Sequence, residues 1–243
     1  MMKFVADYFI KIGNELGYMR HKAMLSLLPK KANATYLDLG CGDGVFTREM
    51  ARAIGTTRIS GIDIIDSEIA KAQKNGIAVK KADLDGVFPF STNTFDVVTG
   101  TQVIEHLFEV DSFVSEVYRV LKPGGIAVIS TENLSSWHNI VALLVGLQPS
   151  TGPYISNRFS IGFHPLAVEH RKEHKTKPYL AEMRGHTRVM AFRSFVALFE
   201  RYGFRVEEAP GIGFYPFPSI LAAVFARIDP WHAVDVIVKL RKL

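Results

Sequence analysis

Residues 37–44 read Leu-Asp-Leu-Gly-Cys-Gly-Asp-Gly. The apolar approach through Tyr36, Leu37 and Leu39 is a buried strand. Gly40, Gly42 and Gly44 make a turn whose backbone comes close to a ligand, because positions without a side chain accept positive φ and leave room for contact. Nineteen residues beyond Gly44, the strand Ile59-Ser60-Gly61-Ile62-Asp63 ends in a carboxylate, placed to grip two ribose hydroxyls. The first two strands therefore build a nucleoside pocket. Spacing narrows the nucleoside. A pyrophosphate turn calls for G-x-G-x-x-G, whereas the spacing here is G-x-G-x-G, preceded by Asp38. A carboxylate beside the loop suits a cationic ligand. Cys41, inside the turn, reads as a small residue packed beneath that ligand.

The elements that must position these groups follow in order. Ile77–Leu84 is a third strand carrying Asp83 at its end, and Phe95–Thr101 is a fourth. The fourth runs into Gln102-Val103-Ile104-Glu105-His106-Leu107. A helix follows with Phe113, Val114, Val117, Val120 and Leu121 at helical spacing and Asp111 or Ser112 as its cap. Lys122-Pro123-Gly124-Gly125 turns the chain into strand five, Ile126–Thr131. Ser194–Tyr202 is a short amphipathic helix closed by Gly203, Phe204-Arg205-Val206 opens strand six, and Ala233–Lys242 is the last strand.

This ordered set of motifs resembles the class I S-adenosylmethionine-dependent methyltransferases, and within them the type 11 and ubiquinone-biosynthesis-like O-methyltransferase branch. The resemblance covers roughly residues 20–133 and 186–243. It implies an α/β fold: a Rossmann-like, seven-stranded, mostly parallel sheet of order 3-2-1-4-5-7-6, with helices on both faces and a lid insertion after strand five. It implies S-adenosyl-L-methionine as cofactor, held by Arg20, Asp38, Gly40, Cys41, Gly42, Asp63, Ile64, Asp83, Leu84 and Thr101. In that assignment Asp83 meets the adenine amino group and Arg20 the cofactor's carboxylate. A hydroxyl acceptor must also lose a proton, and a histidine titrates in the right range. His106, at the tip of strand four, is one candidate, with Glu105 beside it. His186, in Gly185-His186-Thr187-Arg188, is the other. Similar enzymes hold a divalent metal with E-x-x-E-H after strand four. Here Gln102 replaces the first glutamate, and Glu105 with His106 alone makes a weak hard-cation site, so no metal is expected.

Length and composition agree with one domain spanning residues 1–243. The chain is 48 % apolar, enough to bury a parallel sheet on both faces. A single cysteine excludes a disulfide framework and points to the reducing cytoplasm. Met1-Met2-Lys3-Phe4 opens an amphipathic helical segment, 1–33, with no signal-peptide pattern. The net charge of +5 is spread from Lys3 to Lys242 without the basic stripe of a nucleic-acid binder. Lys239, Arg241 and Lys242 read as protection for an exposed strand edge.

Two insertions exceed the core. Residues 134–187 hold five of the eight histidines (His138, His164, His170, His174 and His186), several aromatics, and an apolar helix at Ile140–Leu147. This composition at the mouth of a cofactor pocket fits an acceptor-binding lid. Residues 211–231 place Ile220, Leu221, Val224, Phe225 and Ile228 on one helical face. That face suits packing over the acceptor site, a dimer contact, or peripheral contact with a membrane or lipid substrate. The acceptor expected is an oxygen of a small or lipid-linked molecule. RNA or protein methylation, and a non-catalytic module of the same fold, remain alternatives; intact Asp38, Gly40, Gly42 and Asp63 speak against the last.

Overall fold

A computed structural model describes residues 2–153 and 185–243. The expectations attached to His164, His170, His174 and the aromatics from Tyr154 to Tyr179 lie outside the described residues. The strands are β1 Thr35–Leu39, β2 Arg58–Asp63, β3 Ala78–Lys81, β4 Phe95–Thr101, β5 Leu121–Glu132, β6 Phe204–Glu208, β7 Gly211–Ile212 and β8 Asp235–Lys242. The helices are α1 Met2–Leu27, α2 Val45–Ile54, α3 Asp66–Lys74, α4 Val110–Val120, α5 Trp137–Leu144, α6 Phe192–Arg201 and α7 Ser219–Ile228. Among the described residues, no helix is long and apolar enough to cross a membrane.

The sheet runs β3-β2-β1-β4-β5-β8-β6, which is the expected order with β8 as the seventh strand. β1 to β5 pair in parallel, while β8 runs antiparallel to both β5 and β6. The two-residue β7 is an addition, pairing Gly211 with Val236 and Ile212 with Asp235. Alternation along the strands explains why both faces are covered. Leu37, Leu39, Val98, Ala127, Ile129, Val236 and Val238 face the core beneath α4 and α6. Tyr36, Val97, Ile126, Val128 and Ile237 face the other, beneath α1 and α2. The parallel strands release their C-terminal ends, Leu39, Asp63, Thr101 and Glu132, along one edge, where such sheets bind ligands.

Several expectations change. Strand three stops at Lys81, and Asp83 and Leu84 lie in the following turn, where Asp83 Oδ1 accepts the Asp85 N–H at 3.0 Å. α4 begins at Val110, so neither Asp111 nor Ser112 caps it. Asp85, from a distant loop, fixes the approach to the helix instead, its Oδ1 accepting the N–H groups of Phe108 and Glu109, the two residues before it, each at 2.9 Å. The insertion's apolar helix begins three residues early, at Trp137, and Gly146 turns out of it at φ +75°. β8 is interior, so its cations shield no edge. Lys242 is buried instead, donating to Asn93 Oδ1 and to the carbonyls of Tyr118 and Leu121 at 2.7–2.8 Å. The apolar face expected on 211–231 is split: Phe225 packs inward against Phe214 and Phe217, and the aliphatics turn outward. α7 packs through Ala222 and Ala226 against Phe214 and Ala233, while Ile220, Leu221, Val224 and Ile228 stay exposed.

Because Asp85 accepts two backbone N–H groups from the residues that lead into α4, Asp85→Ala should destabilise the fold by about 1–2 kcal/mol. Urea denaturation checks this, and a variant as stable as the parent would show that these two bonds do not hold the turn.

Candidate functional site

The glycine turn between β1 and α2 is held from inside. Gly40 and Cys41 donate their N–H groups to the Ile62 carbonyl, Gly42 donates to Asp63 Oδ2 at 2.8 Å, and Gly44 donates to the Cys41 carbonyl. With those donors used, the turn is no cradle for phosphate. All three glycines have positive φ, but for different reasons. A Cβ on Gly40 would lie 2.5 Å from Val103 Cγ2, and one on Gly44 would strike Ile77; both positions are close-packed. A Cβ on Gly42 would meet no protein atom within 4 Å. Gly42 therefore faces the open side.

Two carboxyls back this turn. Asp38 is buried, its oxygens accepting the hydroxyls of Thr47 and Thr99 at 2.6 Å each, and burial raises its pKa to about 6. Asp63 accepts three backbone N–H groups: Gly42 on one oxygen, Ile64 and Ile65 on the other. Each oxygen keeps further acceptor capacity for a ribose hydroxyl. Ile64, half exposed beside it, offers an apolar flank. Cys41 packs against Gly61 and Ile77, where burial and the nearby Asp38 and Asp63 push its thiol pKa up. Leu84 turns inward with the core beneath α4. The hydroxyl of Thr101, at the end of β4, is buried with no hydrogen-bond partner among the described residues.

Next to this pocket the ends of β4, β5 and β8 collect a second set of groups. Arg20, from α1, donates through Nη1 to Asp235 Oδ2 at 2.7 Å and to Gln102 Oε1 at 3.3 Å. Gln102 holds the left-handed backbone at φ +54°. Glu105 is buried and accepts the Thr131 hydroxyl at 2.9 Å; burial raises its pKa to about 7. Glu132 is raised well above the ordinary range by burial and by the nearby Glu105 and Asp235, and burial raises Asp235 despite Arg20. His186 Nδ1 lies 3.1 Å from Glu132 Oε2 and 3.2 Å from the Thr151 carbonyl. The rings of His106 and His186 are 5.0 Å apart. Donor atoms of Glu105, His106 and His186 all fall within 4.8 Å of one another, close enough for one divalent cation.

Known proteins place this architecture. The profile of the family described as "Methyltransferase domain" matches residues 14–209. The chain belongs to this family. A ubiquinone biosynthesis O-methyltransferase from Pseudomonas entomophila is 31 % identical over 126 residues, covering 49 % of this chain and 52 % of that protein. The mitochondrial enzyme of that name from Bos taurus is 33 % identical over 106 residues, covering 40 % of this chain and 28 % of its own length. The matched stretch thus spans about half of these relatives or less. An S-adenosylmethionine-dependent methyltransferase structure from Mesorhizobium loti superposes with TM-score 0.61 at 21 % identity, covering 91 % of this chain and 96 % of that one.

Within the family fold, the structure brings Asp38, Gly40, Cys41, Gly42, Asp63 and Ile64 around one turn. Arg20, Thr101, Glu105, His106 and His186 gather around the adjoining strand ends. Asp83 lies in the turn after β3, where the Asp85 N–H donates to its carboxylate. The sequence reading missed Glu132, Asp235 and Asp85. Glu132 and Asp235 carried one readable signal: each is an acid at the end of a strand, next to an apolar stretch (Ile126–Ile129 and Val236–Val238). The reason for expecting no metal also changes, because His186 supplies a third donor that spacing around strand four could not reveal.

The residues present suit a cationic nucleoside, since the open position at Gly42 is backed by carboxylates and the turn's donors are used internally. Gly42→Ala should test which side faces the ligand. It costs roughly 1–2 kcal/mol of stability for a left-handed alanine, with no protein clash. Titration calorimetry should also show S-adenosylhomocysteine affinity at least about tenfold lower. Unchanged affinity would put the nucleoside elsewhere.

The pKa of Glu105, about 7 against an ordinary 4.5, gives a pH signature. Between those values the folded protein holds a proton that the unfolded chain does not. The corresponding stability is complete below pH 4.5 and is lost as the pH rises through 7. Glu105→Gln mimics the protonated acid, so it should match the parent near pH 4 and exceed it near pH 8 by up to about 3 kcal/mol. Urea titrations at both pH values measure the gap, and a constant gap would show that Glu105 ionises normally.

Proposed function

We propose that this chain is an S-adenosylmethionine-dependent methyltransferase acting in the cytoplasm on an oxygen of a small or lipid-linked acceptor. One observation carries the cofactor half: a glycine turn with its N–H groups already used, Gly42 open, and Asp38 and Asp63 behind it. The names of the ubiquinone-biosynthesis relatives support oxygen as the acceptor atom. When bound, S-adenosylmethionine supplies a methyl group on a sulfonium, transferred by in-line displacement.

The protein's part is to hold the acceptor in line, exclude water and take a proton. Asp63 and the Gly42 face receive the nucleoside, with Arg20 beside Gln102 for the cofactor's carboxylate. His186 takes the acceptor proton on its Nε2. Its Nδ1 lies 3.2 Å from the Thr151 carbonyl, which can only accept, and this favours the tautomer with Nε2 free for the acceptor's proton. His106 and Glu105 lie beside His186, their donor atoms within 4.8 Å of its own. A second reading rests on the same three donors: Glu105, His106 and His186 would hold a divalent cation that binds the acceptor oxygen.

Labelled methyl transfer into cell extract, followed by mass analysis of the product, tests the reaction class. His186→Ala should leave S-adenosylhomocysteine affinity intact and lower turnover roughly 10²–10⁴-fold. Activity that survives exhaustive chelation supports the histidine as base. Activity lost on chelation and restored by Mn²⁺ or Zn²⁺ supports the cation. Normal turnover of His186→Ala across the neutral range would defeat both.

A further inference from the structure

We infer that Asp235 is a positioning residue for the cofactor: it clamps one end of the Arg20 guanidinium so that the opposite, unengaged edge is offered to the cofactor's carboxylate. The inference rests on the proposed role of Arg20 and deepens it, because the pairing explains how a long side chain on α1 is held ready for a ligand.

The donors of the guanidinium divide into a used end and an unused edge. Arginine carries five N–H donors in a rigid plane. The two on Nη1 are taken, one by Asp235 Oδ2 at 2.7 Å and the other by Gln102 Oε1 at 3.3 Å. Nε is buried with no hydrogen-bond partner among the described residues, and none of those residues accepts from Nη2. A buried N–H without an acceptor is costly, so the unmatched pair points to a ligand. Nε–H and one Nη2–H run parallel, the fork that takes both oxygens of a carboxylate.

The clamp is anchored in the sheet. Asp235 opens β8, where its backbone pairs with Glu132 of β5 and Ile212 of β7. Gln102 follows β4 with φ +54°, its Nε2 directed at the Ser130 hydroxyl. Elements on both sides of β5 thus hold Nη1, and the arginine gives up rotamer freedom before a ligand arrives. Gln102 also precedes Val103, whose Cγ2 packs on Gly40, so clamp and glycine turn are joined through adjacent residues. The Arg20 side chain is 24 % exposed against 2 % for Asp235, so the pair is closed behind the acid and reachable beside the arginine. Glu105 and Glu132 act on Arg20 through charge, but neither hydrogen-bonds it. Orientation therefore belongs to Asp235 and Gln102.

The test is titration calorimetry of the full chain with S-adenosylhomocysteine and with its decarboxylated analogue, which lacks only the carboxylate. The parent should prefer S-adenosylhomocysteine by about tenfold or more, and Arg20→Ala should abolish that preference. Asp235→Ala should lower S-adenosylhomocysteine affinity about tenfold while the analogue stays within about twofold, and it should add nothing in the Arg20→Ala background. Asp235→Asn keeps one acceptor oxygen, so it should lose about threefold, again with S-adenosylhomocysteine alone. Should Asp235→Ala fail to fold, Asp235→Asn decides by the same comparison. A preference that survives Arg20→Ala would remove Arg20 from the carboxylate and the inference with it. A preference lost in Arg20→Ala but kept in the Asp235 variants would leave Arg20 its role and overturn the clamp. Equal losses for both ligands in the Asp235 variants would reduce Asp235 to a brace of the fold and overturn it too.

Discussion

One buried guanidinium stands among three carboxyl groups at the C-terminal edge of the sheet, and that imbalance organises the site. Arg20 reaches from α1 to pair with Asp235, while Glu105 and Glu132 lie close enough to feel its charge. Three ionised acids beside one cation in a poorly hydrated space are unfavourable, so the acids hold protons more tightly than usual. Such an edge responds to any cation brought beside it. A sulfonium, a metal ion or a histidinium would each lower the cost of ionising Glu105 and Glu132. Pairing Arg20 with Asp235 also fastens α1 to the first residue of β8, so that the N-terminal helix becomes a wall of the site.

The same economy of groups governs the glycine turn. Asp63 does three structural tasks before it can touch a ligand, accepting from Gly42, Ile64 and Ile65. Asp38 is likewise committed to Thr47 and Thr99, and Thr99 is in turn 2.7 Å from the Tyr36 hydroxyl. These bonds keep both carboxyl groups fixed, with Asp63 directly against Gly42 and Asp38 buried behind the turn. Preorganised charge of this kind needs no reorganisation when a cationic ligand arrives.

Much of this was legible because it is local. The glycine spacing, the acid ending β2, and the alternation of apolar residues in the central strands are decided within a few neighbours, whereas the sheet order came with the family resemblance that the ordered motifs carry. What escaped the sequence was long-range partnership. Asp85 holds the approach to a helix that starts more than twenty residues later, Lys242 finds carbonyls at the end of α4, and His186 meets Glu132 and His106 only through the fold. α7 shows a different limit. Periodicity shows which residues share a face, but not which face turns inward. There the small residues Ala222 and Ala226 allow close packing on Phe214 and Ala233, and the large aliphatics are left outside.

Gln102 shows how one residue redirects the chemistry of such a site. Its amide oxygen accepts from Arg20, while its Nε2 points to the Ser130 hydroxyl at 3.5 Å, so the side chain is engaged on the β8 side of the site. A glutamate in this place would add a fourth acid to the cluster around Arg20 and compete with Asp235 for the guanidinium. The neutral amide keeps the charge balance tolerable and leaves the donor set to Glu105, His106 and His186. Two of those three donors come from the loop after β4, and the third comes from the chain returning out of the insertion. The return is fixed by Thr187 and Arg188, whose N–H groups both donate to the Glu105 carbonyl, at 2.8 and 3.1 Å. The end of the insertion is therefore tied directly to the backbone of Glu105, so a shift of Thr187 would be felt there without any substitution in the core.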